Sequence, residues 1–164
     1  METYSEELLK KIHADFKERG LKLSVVESCT AGLISHMLTT LPGASEFFDS
    51  AIVAYSTNSK KKLLGVKKSL IKEHGVISEE SARSMAELLR EKTGADFALS
   101  VTGNAGPDAI DDKRVGLVYI AVAHSKGTTS RGFLFDGSRQ EIKSLASTAA
   151  LEFLHETLSI WAKG

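Results

Sequence analysis

Val25-Val26-Glu27-Ser28-Cys29-Thr30-Ala31-Gly32 is the stretch on which the reading of the fold turns. An apolar run stops on a polar Glu-Ser-Cys-Thr cluster. A small-residue step follows, then an amphipathic segment carrying Leu33, Ile34, Met37, Leu38 and Leu41. That order reads as strand, tight turn and helix. In an open α/β sheet, ligands bind at the carboxyl ends of strands. A hydroxyl at that end stands beside a helix N-terminus, where free N–H groups favour developing negative charge. Ser28 is therefore a candidate nucleophile, and the backbone at Cys29 and Thr30 a candidate oxyanion or phosphate site.

Outward from this turn the chain alternates strands and helices. A helix is expected over residues 4–19, with Leu8, Leu9, Ile12 and Phe16 on one face and Gly20 as its stop. A strand follows at about 22–27 and a helix at about 30–41, ended by Pro42-Gly43. Ala51-Ile52-Val53-Ala54-Tyr55 has the composition of a strand buried on both faces. Two short helical stretches, about 58–64 and 67–73, stop at Gly65 and at His74-Gly75. Ser78 then caps a helix with Glu79 and Glu80 in its first turn, running to Thr93. Residues 97–102 form the third strand and 103–114 a polar loop. Residues 115–124 and 128–135 make a hairpin through Ser125-Lys126-Gly127. Ser138-Arg139-Gln140-Glu141 is a capping box opening the last helix, whose core face carries Ile142, Leu145, Ala149, Phe153 and Leu158. The expected fold is one α/β domain over residues 1–164, a three-layer α/β/α arrangement with a mixed, mostly parallel sheet.

Composition narrows the partners. The chain has 164 residues with 42% apolar and 26% charged side chains, enough for one sizeable core. Lys+Arg and Asp+Glu both number 21, so no global field draws the chain to nucleic acid or to an anionic membrane, and any anion site must be local. No apolar run approaches a membrane span, and Glu2, Glu6, Glu7, Lys10 and Lys11 leave no signal-peptide core. The single cysteine, Cys29, forms no internal disulfide and no cysteine-based zinc site. These features point to the cytoplasm.

Three segments could carry chemistry. Ser28 reads equally well as a helix cap and as a nucleophile, and as a nucleophile it needs a base. The five histidines stand in no recognisable motif. Cys29 is a second nucleophile candidate, although a lone cysteine of this kind is usually buried. Tyr55-Ser56-Thr57-Asn58-Ser59-Lys60 brings Tyr55 and Lys60 to another strand end. Lys60-Lys61-Lys62 also fits a solvated helix face. A free lysine titrates at about 10.4, and bringing it to about 7.5 requires roughly 4 kcal/mol of differential interaction from burial or a neighbouring guanidinium. Arg139 is the candidate neighbour, because a cation in a first helical turn opposes the helix dipole and so hints at an anion. Thr102-Gly103-Asn104-Ala105-Gly106-Pro107-Asp108 could form an anion nest, with Lys113 and Arg114 adding charge; an ordinary turn fits it as well. Asp108, Asp111 and Asp112 fit turn formation better than a metal site.

Taken together these segments resemble the C-terminal domain of the competence/damage-inducible protein CinA, a family whose standalone members are nicotinamide-nucleotide amidohydrolases. The match lies in residues 27–32, in Val53-Ala54-Tyr55-Ser56 with Lys60 and Leu63-Leu64-Gly65-Val66, in residues 101–107, and in Phe135-Asp136-Gly137-Ser138-Arg139; the helix opened by His74-Gly75-Val76-Ile77-Ser78 also fits. It spans roughly residues 5–160, without the N-terminal domain of full-length CinA. The resemblance implies catalytic roles for Ser28, Lys60, Tyr55 and Thr102. It implies substrate contacts at Cys29, Thr30, Gly103, Asn104, Gly106 and Arg139, with Arg139 either binding phosphate or tuning Lys60. It implies a small-molecule pyridine nucleotide as ligand, no metal or other cofactor, no nucleic-acid or membrane partner, and a homo-oligomer. This chain departs from the family pattern at Ala31, where glycine is usual, at Asn104, where isoleucine is usual, and at Arg114, where proline is usual. Alanine is tolerable at 31 where φ is negative. Asn104 adds a polar group beside the pocket, which would shift substrate preference.

Overall fold

The computed structural model describes residues 5–164; Glu2 and Tyr4, the latter the expected first helical residue, lie outside them. Helix α1 spans Glu6–Arg19, with Ser5 accepting from the Leu8 amide and Gly20 closing it at φ +64°. Strand β1 is Leu23–Glu27, α2 is Leu33–Thr39, and β2 is Phe48–Val53. Helix α3, Thr57–Ser59, runs directly into a π-helical turn, Lys60–Leu64. Then come α4 (Lys68–His74), α5 (Glu79–Thr93), β3 (Phe97–Gly103), β4 (Leu117–His124), β5 (Gly127–Leu134) and α6 (Arg139–Lys163). Ser78 caps α5 by accepting from the Ser81 amide, and Ser138 with Glu141 forms the capping box of α6.

The sheet order is β2-β1-β3-β4-β5. β1 pairs in parallel with both β2 and β3, whereas β4 pairs antiparallel with β3 and β5. Four strands therefore point one way and β4 alone runs back, a mixed sheet with mostly parallel strands. The carboxyl ends of β1, β2 and β3 meet at one edge of the domain, the position where such sheets hold ligands.

Alternation sorts the strand residues onto two faces. Leu23, Val25, Phe97, Leu99, Val101, Val118, Ile120 and Val122 join α1, α2 and α6 in the larger core. Removing a large side chain from such a site costs about 2–5 kcal/mol. The other face is built of small residues. Ala121 and Ala123 lie against Ala82 and Ala86 of α5, and the Ser100 hydroxyl donates to the Ala82 carbonyl at 2.6 Å. Small side chains on both partners let α5 lie close over the centre of the sheet. The result is three layers, α/β/α.

The structure corrects several expectations. β2 is an edge strand whose residues alternate between half-buried and exposed, because only β1 pairs with it. The composition Ala-Ile-Val-Ala suited a two-sided strand, but the order of strands, which no local pattern encodes, put it at the border. α2 begins at Leu33 and not at 30; residues 28–32 are a turn. β4 begins at Leu117, with Val115 in the loop before it. Leu145, expected on the buried face of α6, is 44% exposed.

Candidate active site

The turn after β1 is held by Glu27. This carboxylate is fully buried. Its Oε1 accepts from the Thr30 hydroxyl at 2.7 Å and the Ile34 amide at 3.0 Å. Its Oε2 accepts from the Ser35 amide at 3.0 Å and the Ser35 hydroxyl at 2.6 Å. Gly32, at the N-cap of α2, offers no side chain, so Glu27 satisfies the first amides of the helix from below. The capping reading of Ser28 is thereby excluded: another residue does that work, and the Ser28 hydroxyl is left for other partners. Within the turn the Ala31 amide donates to the Ser28 carbonyl at 3.1 Å and the Leu33 amide to the Thr30 carbonyl at 3.2 Å.

Ala31 sits at φ +51°, in the left-handed region and not at the negative φ that would suit alanine. A residue with a Cβ costs about 1–2 kcal/mol there. The buried bonds of Glu27 around it hold the backbone in that conformation.

Lys60 reaches the same place from the end of β2. It opens the π-helical turn and is only 3% exposed, while Lys62 in the same charge run faces solvent. The Lys60 Nζ donates to the Ser28 Oγ at 3.0 Å, to the Ala54 carbonyl at 2.9 Å and to the Tyr55 carbonyl at 3.2 Å. Burial lowers its pKa from 10.5 to about 8. π-turns of this kind occur frequently at functional sites. Here the turn carries Lys60 toward the strand ends and leaves Lys62 outside.

A cleft of about 360 Å³ opens over these groups. Ser28, Cys29, Tyr55, Lys60, Thr102, Gly103, Asn104 and Arg139 all line it. Thr30 and Gly106 do not. Thr30 is buried with its hydroxyl on Glu27, and Gly106 serves through its carbonyl, which accepts from Arg139 Nη1. Arg139 Nη2 donates to the Tyr55 hydroxyl at 2.6 Å. One guanidinium thus ties the end of β2 to the 104–116 loop across the mouth of the cleft. Tyr55 meets Lys60 through its carbonyl, and its hydroxyl belongs to Arg139. Thr102 donates to the Val76 carbonyl at 2.7 Å, fixing the α4–α5 connection to the end of β3. Gly103 is a packing requirement, since a Cβ there would lie 2.7 Å from Val118 Cγ2 and 2.8 Å from the Leu117 carbonyl.

The side-chain amide of Asn104 is committed to its own loop. Its Nδ2 donates to the carbonyls of Asp108 at 3.0 Å and Lys113 at 3.3 Å, and its Oδ1 accepts from the Gly106 amide at 2.9 Å. Lys113 and Arg114 do not line the cleft. None of the five histidines lines it either; the nitrogen beside Ser28 is the amine of Lys60. Burial pushes the Cys29 thiol up to about 11, which disfavours the thiolate.

The chain matches the model of the CinA C-terminal domain over residues 5–158. It belongs to that family. A CinA-like protein of Geobacter sulfurreducens is 42% identical over 144 residues, covering 87% of this chain and 35% of the relative. The chain therefore spans about a third of the length of the curated relatives it matches. Among solved structures, the competence/damage inducible protein CihA from Agrobacterium tumefaciens is 35% identical with a TM-score of 0.89, over 97% of this chain and 99% of that one. The competence damage-inducible protein A (ComA) from Klebsiella pneumoniae is 28% identical with a TM-score of 0.93, over 97% of this chain and 99% of that one.

For this CinA domain, sequence reasoning missed Ser56, Thr57, Val76, Ile77, Ala105 and Ile110 as cleft residues. Ser56 and Thr57 directly follow Tyr55 and could have been inferred from it. Val76 and Ile77 lie in a segment that fits the family pattern, but as apolar residues in a connection they look like ordinary packing; Ile110 carried no signal. Glu27 was legible as part of the motif but not as the cap of a helix starting six residues later.

Proposed function

We propose that this CinA domain hydrolyses the carboxamide of nicotinamide mononucleotide to nicotinate mononucleotide and ammonia, with Ser28 as nucleophile and Lys60 as base. The contact between Lys60 Nζ and Ser28 Oγ at 3.0 Å carries this reading. A neutral amine has two N–H groups and one lone pair. The carbonyls of Ala54 and Tyr55 accept the two hydrogens, and the lone pair then faces the Ser28 hydroxyl. Lys60 takes the proton as Ser28 attacks the amide carbon, which the pyridinium ring makes more electrophilic than an ordinary amide. The tetrahedral intermediate expels ammonia as Lys60 returns the proton to the leaving nitrogen. Water then attacks the acyl-serine by the same base and releases the acid. The amides of Cys29 and Thr30, which the two turn bonds do not use, are the donors for the oxyanion; one such donor is worth about 3 kcal/mol.

Arg139 is the cation at the cleft mouth, and a guanidinium has more donors than its contacts with Gly106 and Tyr55 use, so it supplies the phosphate contact. The other role considered for it, lowering the Lys60 pKa, has no support: burial is the cause of that shift. Tyr55 supports Arg139 and, through its carbonyl, Lys60. Thr102 shapes the cleft by holding Val76. The domain acts in the cytoplasm on pyridine nucleotides, as part of their recycling into NAD, and works as a homo-oligomer.

The test is ammonia release from nicotinamide mononucleotide by the wild type and by Ser28→Ala. Turnover in the wild type, lost at least a thousandfold in the variant with its fold intact, supports the reading. A wild type that binds the nucleotide, shifts its melting temperature and releases no ammonia would make the domain a nucleotide-binding module instead.

A further inference from the structure

Ile110 is a large apolar side chain, 47% exposed, that lines the cleft and belongs to none of the buried cores. Its place is fixed by an unusual piece of backbone. Ile110 and Lys113 form an isolated antiparallel bridge, with the Lys113 amide donating to the Ile110 carbonyl at 2.9 Å. The residues between them, Asp111 and Asp112, both have positive φ, +52° and +55°. Two left-handed residues inside a two-residue turn are the mark of type I′, and aspartate tolerates that region better than most side chains. This turn is tied down at both ends. At its stem, the Asn104 amide, 1% exposed, donates to the carbonyls of Asp108 and Lys113. At its tip, the Asp111 carboxylate accepts from the Val76 amide at 3.3 Å. Val76 is gripped from its other side by Thr102, whose hydroxyl donates to the Val76 carbonyl at 2.7 Å. The loop thus crosses to the α4–α5 connection and sets Ile110 in the same cleft as Val76 and Ile77.

Core packing does not require a half-exposed isoleucine on a turn of two left-handed aspartates. A ligand does. The polar groups of the cleft, Ser28 and Lys60, suit the reacting carboxamide. The Val76 and Ile110 side chains offer hydrocarbon, which suits the face of a planar aromatic ring, whereas Ile77 is 1% exposed and adds little surface. We infer that Ile110 is the specificity-determining residue of the cleft, selecting carboxamides borne on an aromatic ring over small aliphatic amides, and that Asn104 and Asp111 are positioning residues acting through it. This rests on the carboxamide reading above for its reaction, but not for its binding.

The experiment compares wild type, Ile110→Ala, Ile110→Val, Asn104→Ala and Asp111→Gly, the last keeping the turn's φ while removing the anchor. Ammonia release is followed with nicotinamide mononucleotide, nicotinamide riboside and propionamide, and binding of nicotinamide mononucleotide is measured by calorimetry. Ile110→Ala should raise KM and Kd for both pyridinium substrates about tenfold, leave kcat within about twofold, and leave propionamide unaffected. Ile110→Val should restore most of the loss. Asp111→Gly should raise KM several-fold in the wild-type background and hardly at all alongside Ile110→Ala, and Asn104→Ala should behave likewise if it folds. Unchanged KM and Kd in Ile110→Ala, or a loss equal for propionamide, overturns the inference. So does an Asp111→Gly effect undiminished in the Ile110→Ala background. If the wild type releases no ammonia, the hydrolase reading fails by itself. Weaker nucleotide binding in Ile110→Ala then still supports the specificity role, and equal or absent binding overturns it.

Discussion

Lys60 ends 3.0 Å from the hydroxyl of Ser28, a residue 32 positions earlier in the chain, and is 3% exposed there. The contact exists because two parallel neighbours, β1 and β2, finish side by side, and because a π-turn after β2 points one lysine of three back over the strand ends. Its chemical consequence is an amine that burial holds at about 8 instead of 10.5.

Activity should follow the neutral form of that amine. Below about pH 8 the fraction deprotonated falls tenfold per unit, so kcat/KM should rise with slope one up to about pH 8 and level off above it. A profile measured from about pH 6 to about pH 9 that stays flat removes Lys60 from the role of base.

The same shift bears on stability, with the opposite sign from a salt-bridged lysine. The folded pKa lies below the unfolded one, so between about 8 and 10.5 the unfolded chain binds more protons and stability rises with pH. Below about 8 the full penalty applies, about 3 kcal/mol, offset in part by the carbonyl contacts. Lys60→Met should therefore be inactive yet more stable than wild type by about 1–2 kcal/mol at pH 7. Urea unfolding should show that gap narrowing toward pH 10.5. A variant less stable at neutral pH would mean that the lost hydrogen bonds outweigh the relieved charge.

Glu27 governs the turn without lining the cleft. Its carboxylate accepts four hydrogen bonds in a fully buried setting. Glu27→Ala strands the amides of Ile34 and Ser35 and two hydroxyls, and should cost about 3–5 kcal/mol in denaturant unfolding. Glu27→Gln keeps some of these bonds and should cost about half as much. Equal stability in all three proteins would show that α2 needs no cap from the strand.

Cys29 should be chemically quiet. Its thiol is 5% exposed and pushed up to about 11 by burial. Iodoacetamide at about pH 8 should label the native protein at least a hundredfold more slowly than the unfolded chain. Cys29→Ser should keep ammonia release within about threefold. Rapid labelling coupled to loss of turnover would move the nucleophile from Ser28 to Cys29.

Much of the fold was legible in local sequence. Gly20 and Gly94 end their helices in the left-handed conformation, Ser78 and Ser138 cap theirs, and the β4–β5 hairpin falls where its turn residues lie. These features depend on interactions within about five residues, which is the range a sequence pattern encodes. β2 was misjudged because burial on two faces depends on strand order, and strand order is a long-range property.

At the candidate site the division is the same. The amino-acid sequence alone determined which residue types are on offer: an alcohol at 28 after β1, an amine at 60 beyond β2, a guanidinium at 139 in the first turn of the last helix and a turn-forming loop after Thr102. Only the tertiary structure decided what each does. It gave the cap of α2 to Glu27 and freed Ser28, buried Lys60 while Lys62 stayed in water, turned the Tyr55 hydroxyl to Arg139, and locked Asn104 into its own loop. The reason is physical: helix caps and turns are settled by adjacent atoms, whereas desolvation and convergence arise only when distant segments exclude water together.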